Sequence, residues 1–335
     1  MIFILICIIL IALLFEFING FHDVANVVAT PIASKSLSPS QAILVASIFN
    51  FFGAFIGTSV ATTISKGLID TNVITYLVLI SSLTIAIGWN LFTWYLGIPS
   101  SSSHALIGSL VGSAIAASNI GSVNYKTLLI NVIVPMTISP LLSFFLSLLI
   151  VTILFVLFNG SKKSFRQFNS YIREFQIFST SLLALSHGSN DAQKTMSIIT
   201  LSLFSFGFLN SPSSIPIWVT FLCAITMAFG TLFGGTRIVK TLTSRIAKIG
   251  PINALAAEMS SGMLILMASY FGFPISTTQA ASGSVMGAGY LENRGLNWSI
   301  VYTMMVAWLL TLPCCTVISF CTYNVLTMLF VDFSV

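Results

Sequence analysis

Long apolar stretches dominate the chain, and polar residues interrupt them at only a few places. Apolar runs cover about residues 1–34, 41–62, 73–98, 103–118 and 128–158, then about 175–209, 215–235, 252–272, 275–290 and 297–330. Each is long enough to cross a lipid bilayer, or nearly so, because one helical crossing takes about 20 residues. The pattern predicts five membrane crossings in each half of the chain.

The composition agrees with this pattern, and one hydrophilic stretch divides the chain. Of 335 residues, 56% are hydrophobic and 6% are charged, with a mean hydropathy of +1.01, which excludes a water-soluble domain. Residues 159–173 are polar and include Lys162, Lys163, Arg166 and Arg173. We therefore predict a first transmembrane repeat at 1–158, a basic cytoplasmic loop at 159–173 and a second transmembrane repeat at 174–335.

A polar stretch lies inside the first apolar run and has a counterpart in the second half. It contains Glu16 and then the residues Asn19 to Asn26; when Gly20 is aligned with Gly188, Asp23 falls on Asp191. A charge near the bilayer centre costs about 2.5–3.5 kcal/mol, so such groups usually face a cavity, a partner or a substrate. We expect each stretch to break its helix and the two breaks to form a site between the repeats.

A second motif supports the duplication. The stretch from Pro99 to Ser109 aligns without gaps on the stretch from Pro274 to Ser284. The hydroxyl residues Ser101, Ser102 and Ser103 fall on Ser276, Thr277 and Thr278. A single copy would be explained by a structural role, as a helix cap or an interhelical hydrogen bond, as well as by a binding function. Duplication in register beside the aspartates favours a binding function.

Positive charge in the loops predicts the orientation of the chain. With five crossings per half, ten basic residues share one side of the membrane, while Lys66 and Lys126 lie on the other and Lys194 lies within the membrane. The ten are Lys35, Lys162, Lys163, Arg166, Arg173, Arg237, Lys240, Arg245, Lys248 and Arg294. The positive-inside rule places them in the cytoplasm and both termini outside. An odd number of crossings per half makes the repeats inverted, so we predict an all-α polytopic membrane protein of two inverted-topology repeats, with broken helices and paired Ser/Thr turns near the midplane.

The two motifs suit ligands of opposite charge. A Ser/Thr turn that starts a helix presents free N–H and hydroxyl donors at the positive end of the helix dipole, which suits a tetrahedral oxyanion. Asp23, Asn26 and Asp191 offer hard oxygen ligands to a small cation, or a carboxylate that carries a proton. Together they indicate a cation-coupled anion symporter. The alternative for the aspartates is a buried pair that only holds helices together.

These motifs, with Trp89-Asn90-Leu91, resemble the inorganic phosphate transporter family over nearly the whole chain, and most closely its bacterial low-affinity members. The resemblance implies phosphate transport rather than an enzymatic reaction, and a homodimer. The low charge and the short central loop indicate a bacterial member in the cytoplasmic membrane; no cofactor is expected and no metal is firmly assigned. The resemblance also implies phosphate binding by the six hydroxyl residues Ser101, Ser102, Ser103, Ser276, Thr277 and Thr278. Asp23, Asn26 and Asp191 would bind or relay the coupling ion, with Asp23 and Asn26 as candidate sodium ligands.

The second half departs from the first at Lys194, which stands where the first half has Asn26. Its ammonium shares a helical face with Asp191 and could replace a sodium ion, contact phosphate or only neutralise Asp191. With His22 beside Asp23, this resembles the bacterial proton-coupled, metal-phosphate branch of the family more than the sodium-coupled one. The resemblance implies a proton as the coupling ion, with a divalent metal carried with phosphate as an alternative. Sodium bound by Asp23 and Asn26 stays open.

Other polar residues are assigned supporting roles. Glu16 could relay a proton or bond a neighbouring helix, Glu258 could be interfacial or buried, and Asn90 is expected to bond across helices. His104 is read as a donor that supports the turn, and His22 and Asn190 complete the supporting set. Sulfate symport and an intramembrane aspartyl protease are the rival functions. The basic excess of +5 sets orientation, and no nucleic-acid partner is expected.

Overall fold

The computed structural model describes residues 2–159, 164–234, 249–290 and 296–331, and in these ranges the chain is almost entirely helical. The helices of the first half are α1 (Ile2–Ala33), α2 (Pro39–Gly53), α3 (Ser59–Gly67), α4 (Tyr76–Leu96), α5 (Ser102–Ala117) and α6 (Tyr125–Asn159). Those of the second half are α7 (Phe165–Ser205), α8 (Ile217–Phe233), α9 (Pro251–Tyr270), α10 (Thr277–Gly289) and α11 (Trp298–Val331). Five of them, α1, α4, α6, α9 and α11, are long and apolar enough to cross a membrane. The prediction of an all-α polytopic membrane protein is confirmed.

Both aspartate stretches differ from the prediction, because α1 and α7 run through them as continuous helix. Asp23 and Asp191 are 2% and 0% exposed and face neighbouring helices rather than lipid. Side-chain partners on neighbouring helices therefore stabilise the two buried carboxylates, while α1 and α7 keep their own backbone hydrogen bonds. Because both helices are continuous, their backbone carbonyl oxygens are not free to bind an ion at these stretches.

Breaks occur elsewhere in the described chain. The run predicted at 41–62 is divided into α2 and α3, and the Gln193 side-chain oxygen accepts the N–H groups of Val60 and Ala61 at 2.8 and 3.2 Å. Gln193 thus bonds backbone N–H groups at the start of α3 that the side chain of the N-cap residue, Thr58, leaves without a partner. α7 begins inside the stretch predicted as a loop, because Ser164 and Gln167 form a capping box.

The two Ser/Thr turns have the same backbone form. Gly97 and Gly272 end α4 and α9 in the left-handed region, with φ of 68° and 76°, two residues before a proline. Glycine takes this conformation without steric cost. Ser101 and Ser276 then cap α5 and α10 by accepting the backbone N–H three residues on. The sequence alignment of the turns is thus matched by their geometry.

Helices pack in pairs that are equivalent between the halves. α1 packs on α8 as α7 packs on α2, and α5 packs on α11 as α10 packs on α6. A β-carbon added at Gly20 would lie 2.6 Å from the Met227 carbonyl oxygen, and one added at Gly188 would lie 2.2 Å from that of Asn50. The aligned glycines therefore hold equivalent close approaches of two backbones. The inverted orientation of the repeats stays a prediction.

Two contacts join segments that the charge pattern assigned to the same side of the membrane. The segments that follow Lys66 and precede Lys126 are hydrogen-bonded, with Asp70 N to Ser122 O at 2.9 Å. At the other end, Ser34 beside Lys35 donates to Gln176, three residues after Arg173, at 2.9 Å. Each predicted group thus has members that lie together; which side is cytoplasmic stays a prediction. Lys162, Lys163, Arg237, Lys240, Arg245, Lys248 and Arg294 lie outside the described residues, and the side chain of Arg166 is not described.

We expect Gly188→Ala to destabilise the protein, because the new methyl group would overlap the Asn50 carbonyl oxygen and force α7 away from α2. Overpacking of this kind costs about 1–3 kcal/mol. The check is the thermal unfolding midpoint of the purified protein. Gly88→Ala is the matched control, because a β-carbon at Gly88 in α4 meets nothing within 4 Å. Equal midpoints for the two variants would contradict the close packing.

Candidate functional site

Asp23 lies at the centre of a hydrogen-bonded group drawn from both halves of the chain. Ser102 Oγ donates to Asp23 Oδ2 at 3.0 Å, and Thr278 Oγ1 donates to Oδ1 at 3.2 Å. His22 Nδ1 lies 2.7 Å from Oδ1, and Asn26 Nδ2 donates to Thr278 Oγ1 at 2.9 Å. All five side chains are buried. The carboxylate therefore binds one hydroxyl from each Ser/Thr turn.

Asp191 lies at the centre of an equivalent group. Thr277 Oγ1 donates to Asp191 Oδ2 at 3.0 Å, and the Lys194 ammonium is bonded to Oδ1. Lys194 Nζ also donates to Ser103 Oγ at 2.5 Å and to the Ile275 carbonyl oxygen at 3.3 Å. Because Lys194 is 1% exposed, its charge is balanced inside the protein by Asp191.

The two groups correspond residue by residue in the repeat alignment. Asn26 bonds Thr278 of the other half, and Lys194, its counterpart, bonds Ser103 of the other half. The turns also touch each other, since Ser103 Oγ donates to the Ile275 carbonyl oxygen at 3.0 Å. The predicted juxtaposition of two Ser/Thr turns and two aspartates is therefore present in the structure.

Asp23 and Asp191 approach each other around His187. One ligand atom from each of these three buried residues lies within 4.8 Å of the other two. His187 Nδ1 is 3.1 Å from Asn50 Oδ1, an acceptor, which favours a hydrogen on Nδ1. Nε2 lies 3.2 Å from Asp191 Oδ2 without the alignment of a hydrogen bond. Two carboxylates and an imidazole directed at one region attract a cation or a proton.

The six hydroxyl residues divide into two kinds. Ser102, Ser103, Thr277 and Thr278 contact the aspartate groups. Ser101 and Ser276 instead accept hydrogen bonds from the first turns of α5 and α10, as ordinary caps do. Ser101 Oγ also lies 2.6 Å from Nδ1 of His104, which places His104 behind the turn as a supporting residue.

Glu16 and Glu258 are both buried, at opposite sides of Asp191 along α7. Glu16 accepts the hydroxyl hydrogen of Thr195, the residue after Lys194. Glu258 accepts from Gln176 at 3.1 Å, from Thr180 at 3.1 Å and from Ser179. Of the two alternatives for Glu258, the buried one is therefore observed. Its partners precede Asp191 by three turns of helix or more, so it lies outside the aspartate groups.

The carboxamides behave differently from one another. Asn190 donates to Ser269 Oγ at 3.0 Å and to the Phe273 carbonyl oxygen at 3.1 Å, which fixes α7 to the second turn. Asn90 was expected to bond across helices, but neither of its amide atoms has a partner among the described residues. Asn90 lies one turn from Thr93, which faces His22 at 3.4 Å, so its amide is directed at the interior. Asn19 is likewise unpartnered in that part of the chain. Unpaired amides so close to the aspartates leave hydrogen-bonding capacity for a ligand or water.

His187 is a site residue that the sequence reasoning missed. It aligns with Asn19 and precedes Asp191 by four positions, so it shares a helical face with that aspartate. Asn50 was missed as a site residue with it: its Nδ2 donates to Thr231 Oγ1 at 3.0 Å, and its Oδ1 lies 3.1 Å from His187 Nδ1. The spacing of His187 was a signal in the sequence; its contact with α2 was not.

Comparisons with known proteins agree with this geometry. A protein named "Probable low-affinity inorganic phosphate transporter" from Bacillus subtilis is 40% identical over 328 residues, which is 97% of this chain and 98% of that protein. A protein of the same name from Mycobacterium bovis is 43% identical over 96% of this chain and 77% of its own length. A solved structure titled "The sodium-dependent phosphate transporter" has the same fold, with a TM-score of 0.87 at 24% identity over 97% of this chain and 99% of that one. The model of the Phosphate transporter family matches residues 19–319, a range that includes both aspartates and both Ser/Thr turns, and the chain therefore belongs to that family.

Proposed function

We propose that this protein is a proton-coupled symporter of inorganic phosphate that works by alternating access in the cytoplasmic membrane. The observation that carries the proposal is the pair of equivalent aspartate groups, of which one contains a fixed ammonium and the other does not. The family supports phosphate as the substrate, and the side chains of the two groups support the choice of coupling ion. The substrate, phosphate, and the coupling ion, a proton, are both assigned to this buried centre.

Phosphate binding is assigned to the two turns. Ser102, Ser103, Thr277 and Thr278 are buried hydroxyl donors at the first turns of α5 and α10, whose helix dipoles favour an anion. In this structure three of these hydroxyls donate to Asp23 or Asp191. A phosphate oxygen would accept the same hydrogens, so the carboxylates and phosphate compete for one set of donors.

This competition gives a physical basis for coupling. A proton on Asp23 removes its negative charge and weakens its hold on the hydroxyls of Ser102 and Thr278, which are then free to donate to phosphate. By linkage, bound phosphate favours the protonated carboxyl to the same extent. Because Asp23 contacts residues of both halves, the pair of ligands would stabilise one arrangement of the halves together.

Lys194 is the reason for preferring a proton to sodium. Its ammonium occupies a position between Asp191 and Ser103 where a second cation would otherwise sit. The remaining donor set contains the imidazole of His187 as well as two carboxylates, whereas hard cations prefer oxygen ligands alone. The Lys194 ammonium then takes the place of one bound cation, and the Asp23 carboxylate, which can carry a proton, takes the place of the other. Sodium held by Asp23 and Asn26, and a divalent metal carried with phosphate, are the competing outcomes.

The test is uptake of labelled phosphate by proteoliposomes of the purified protein under imposed proton or sodium gradients, with unlabelled sulfate as competitor. We expect uptake driven by the proton gradient, unchanged when sodium is replaced by choline at fixed pH, and insensitive to excess sulfate. Uptake that required sodium would overturn the coupling assignment. Uptake that required a divalent metal at fixed proton gradient would add that metal as a second substrate.

The rival functions predict different results in the same assay. In a sulfate symporter of this fold, excess sulfate would inhibit the uptake of labelled phosphate. Phosphate keeps a proton that it can donate to a carboxylate such as Asp23, whereas sulfate has none, so the buried carboxylates favour phosphate. An intramembrane aspartyl protease needs two carboxylates that share one proton. Here Asp191 is paired with Lys194 and Asp23 with His22 and two hydroxyls, so the contacts favour the transporter.

A further inference from the structure

A cavity of about 550 Å³ lies outside the aspartate groups, between α5, α6, α10 and α11. Its mouth is formed by Leu141 of α6 and by Met305 and Leu309 of α11, which are 60%, 57% and 77% exposed. Among the five apolar spans, α6 and α11 are the two least buried in the protein. Large exposed apolar surface on such spans faces lipid, so the cavity opens toward the bilayer.

The inner end of the cavity is polar. It is lined by His104 and Gln279, which are equivalent in the repeat alignment and are 7% and 4% exposed. Gln279 Oε1 has no hydrogen-bond partner in the part of the chain that the structure describes. An unpaired buried carbonyl oxygen costs free energy that a donor from a ligand would recover. Among the described residues that line the cavity there is no Lys, Arg, Asp or Glu, so a charged ligand is not favoured.

We propose that this cavity binds an uncharged, single-chain lipophile from the bilayer that carries one hydroxyl group. The hydroxyl donates to Gln279 Oε1 beside His104, and the hydrocarbon chain lies between α6 and α11 among Met286, Met305 and Leu309. The volume falls within the 300–1,000 Å³ of small-molecule sites, which are mostly apolar with a few convergent polar groups. This site is separate from the phosphate centre and does not depend on the coupling ion.

The site also contacts the first Ser/Thr turn. Trp308, in the cavity wall, donates from Nε1 to the Pro99 carbonyl oxygen at 2.9 Å, and His104 lies 2.6 Å from the Ser101 hydroxyl. A bound lipophile would therefore contact Trp308 and His104, the two side chains that support this turn, and restrict their movement. Slower rearrangement of α5 against α11, and hence slower phosphate uptake, is the expected consequence.

Binding is tested with dodecanol that carries a photoreactive diazirine, and with the matching diazirine dodecane, added to the full-length protein in proteoliposomes. We expect adducts of the alcohol on residues of α6 and α11, displaced by unlabelled dodecanol more readily than by dodecane. Leu309→Trp fills the mouth and should abolish the adducts, while Leu310→Trp, one residue on and outside the cavity lining, should retain them. Gln279→Leu should reduce the preference for alcohol over alkane by about fivefold, the worth of one hydrogen bond.

Three outcomes would overturn the proposal. Equal labelling by alcohol and alkane would show that the polar end recognises nothing. Labelling of Leu309→Trp at the level of Leu310→Trp would place the probe elsewhere. Failure of both probes, with a change of oligomeric state in Leu309→Trp, would show that a second copy of the chain covers the mouth. The labelling test does not require that the protein transports phosphate.

The link to transport is tested by adding dodecanol during phosphate uptake. Slower uptake by the wild type but not by Leu309→Trp would support the link, and equal slowing of both would refute it.

Discussion

Asp23→Asn is expected to retain phosphate binding and to abolish uptake driven by a proton gradient. Asparagine keeps an oxygen that can accept the hydrogen bond of Ser102 or Thr278, as a protonated aspartate does, but it cannot release a proton. The variant would be held in the state that resembles the protonated protein. Net uptake should fall to the background of empty liposomes, while exchange of labelled for unlabelled phosphate across the membrane continues.

The design separates loss of coupling from loss of folding. Asp70→Asn is the matched control, because Asp70 is an exposed carboxylate in a loop, bonded to Asn72, and should leave uptake unchanged. A variant at Asp23 that neither takes up nor exchanges phosphate, yet unfolds at the wild-type temperature, would make Asp23 part of the binding site rather than the proton carrier. Net proton-driven uptake by Asp23→Asn would remove Asp23 from the mechanism.

Duplication in the sequence predicted the centre of the site well. The alignment of Gly20 with Gly188 and of Pro99 with Pro274 put Asp23, Asp191 and two hydroxyl turns at matching places, and the structure brings them together. A repeat carries this information because two equivalent motifs near a common axis must meet. The pairing of Asp23 with Thr278, which are 255 positions apart, follows from the packing of α1 near α10 and could not be read from spacing.

Continuity of α1 was not predicted, although the sequence contains a signal for it. Glu16, Asn19, Asp23 and Asn26 recur every three or four residues, which places them on one face of an unbroken helix. Reading them as a break assumed that polar groups within a membrane require irregular backbone. They require partners, and the other helices supply these: Thr195 for Glu16, and Ser102 and Thr278 for Asp23.

Burial of Glu258 and the isolation of Asn90 show where sequence reasoning ends. Glu258 lies seven residues after Pro251, the first residue of α9, where the sequence allowed an interfacial position, yet three donors on α7 surround it. Asn90 was expected to form a hydrogen bond to another helix, yet no donor or acceptor of the described chain reaches its amide. Which neighbour faces a given polar side chain depends on helix rotation in the packed bundle, and local pattern does not fix that rotation.

Lys194→Asn is expected to make the second aspartate group resemble the first and to give the transporter a dependence on sodium. Without the ammonium, Asp191 keeps only Thr277 and His187 as partners, and removal of one member of a buried ion pair costs about 3–5 kcal/mol. A sodium ion held by Asp191 and the new asparagine would restore the balance of charge, as ligand binding stabilises the state that binds it. In choline buffer the variant should therefore unfold at a lower temperature than the wild type and take up little phosphate, and sodium should restore both at fixed pH.

Lys194→Met separates this effect from simple loss of a charge. Methionine fills the same buried space but offers sodium no hard oxygen ligand, so the variant should be destabilised in choline and should stay so in sodium. If sodium restored Lys194→Met as well as Lys194→Asn, the ion would be acting elsewhere and the ammonium would not stand in for it. If the wild type itself responded to sodium as Lys194→Asn does, the equivalence of Lys194 and a bound cation would be wrong. Sodium rescue confined to Lys194→Asn would show that a single substitution in this family exchanges a fixed charge for a coupling ion, because the oxygen ligands around Asp191 are already in place.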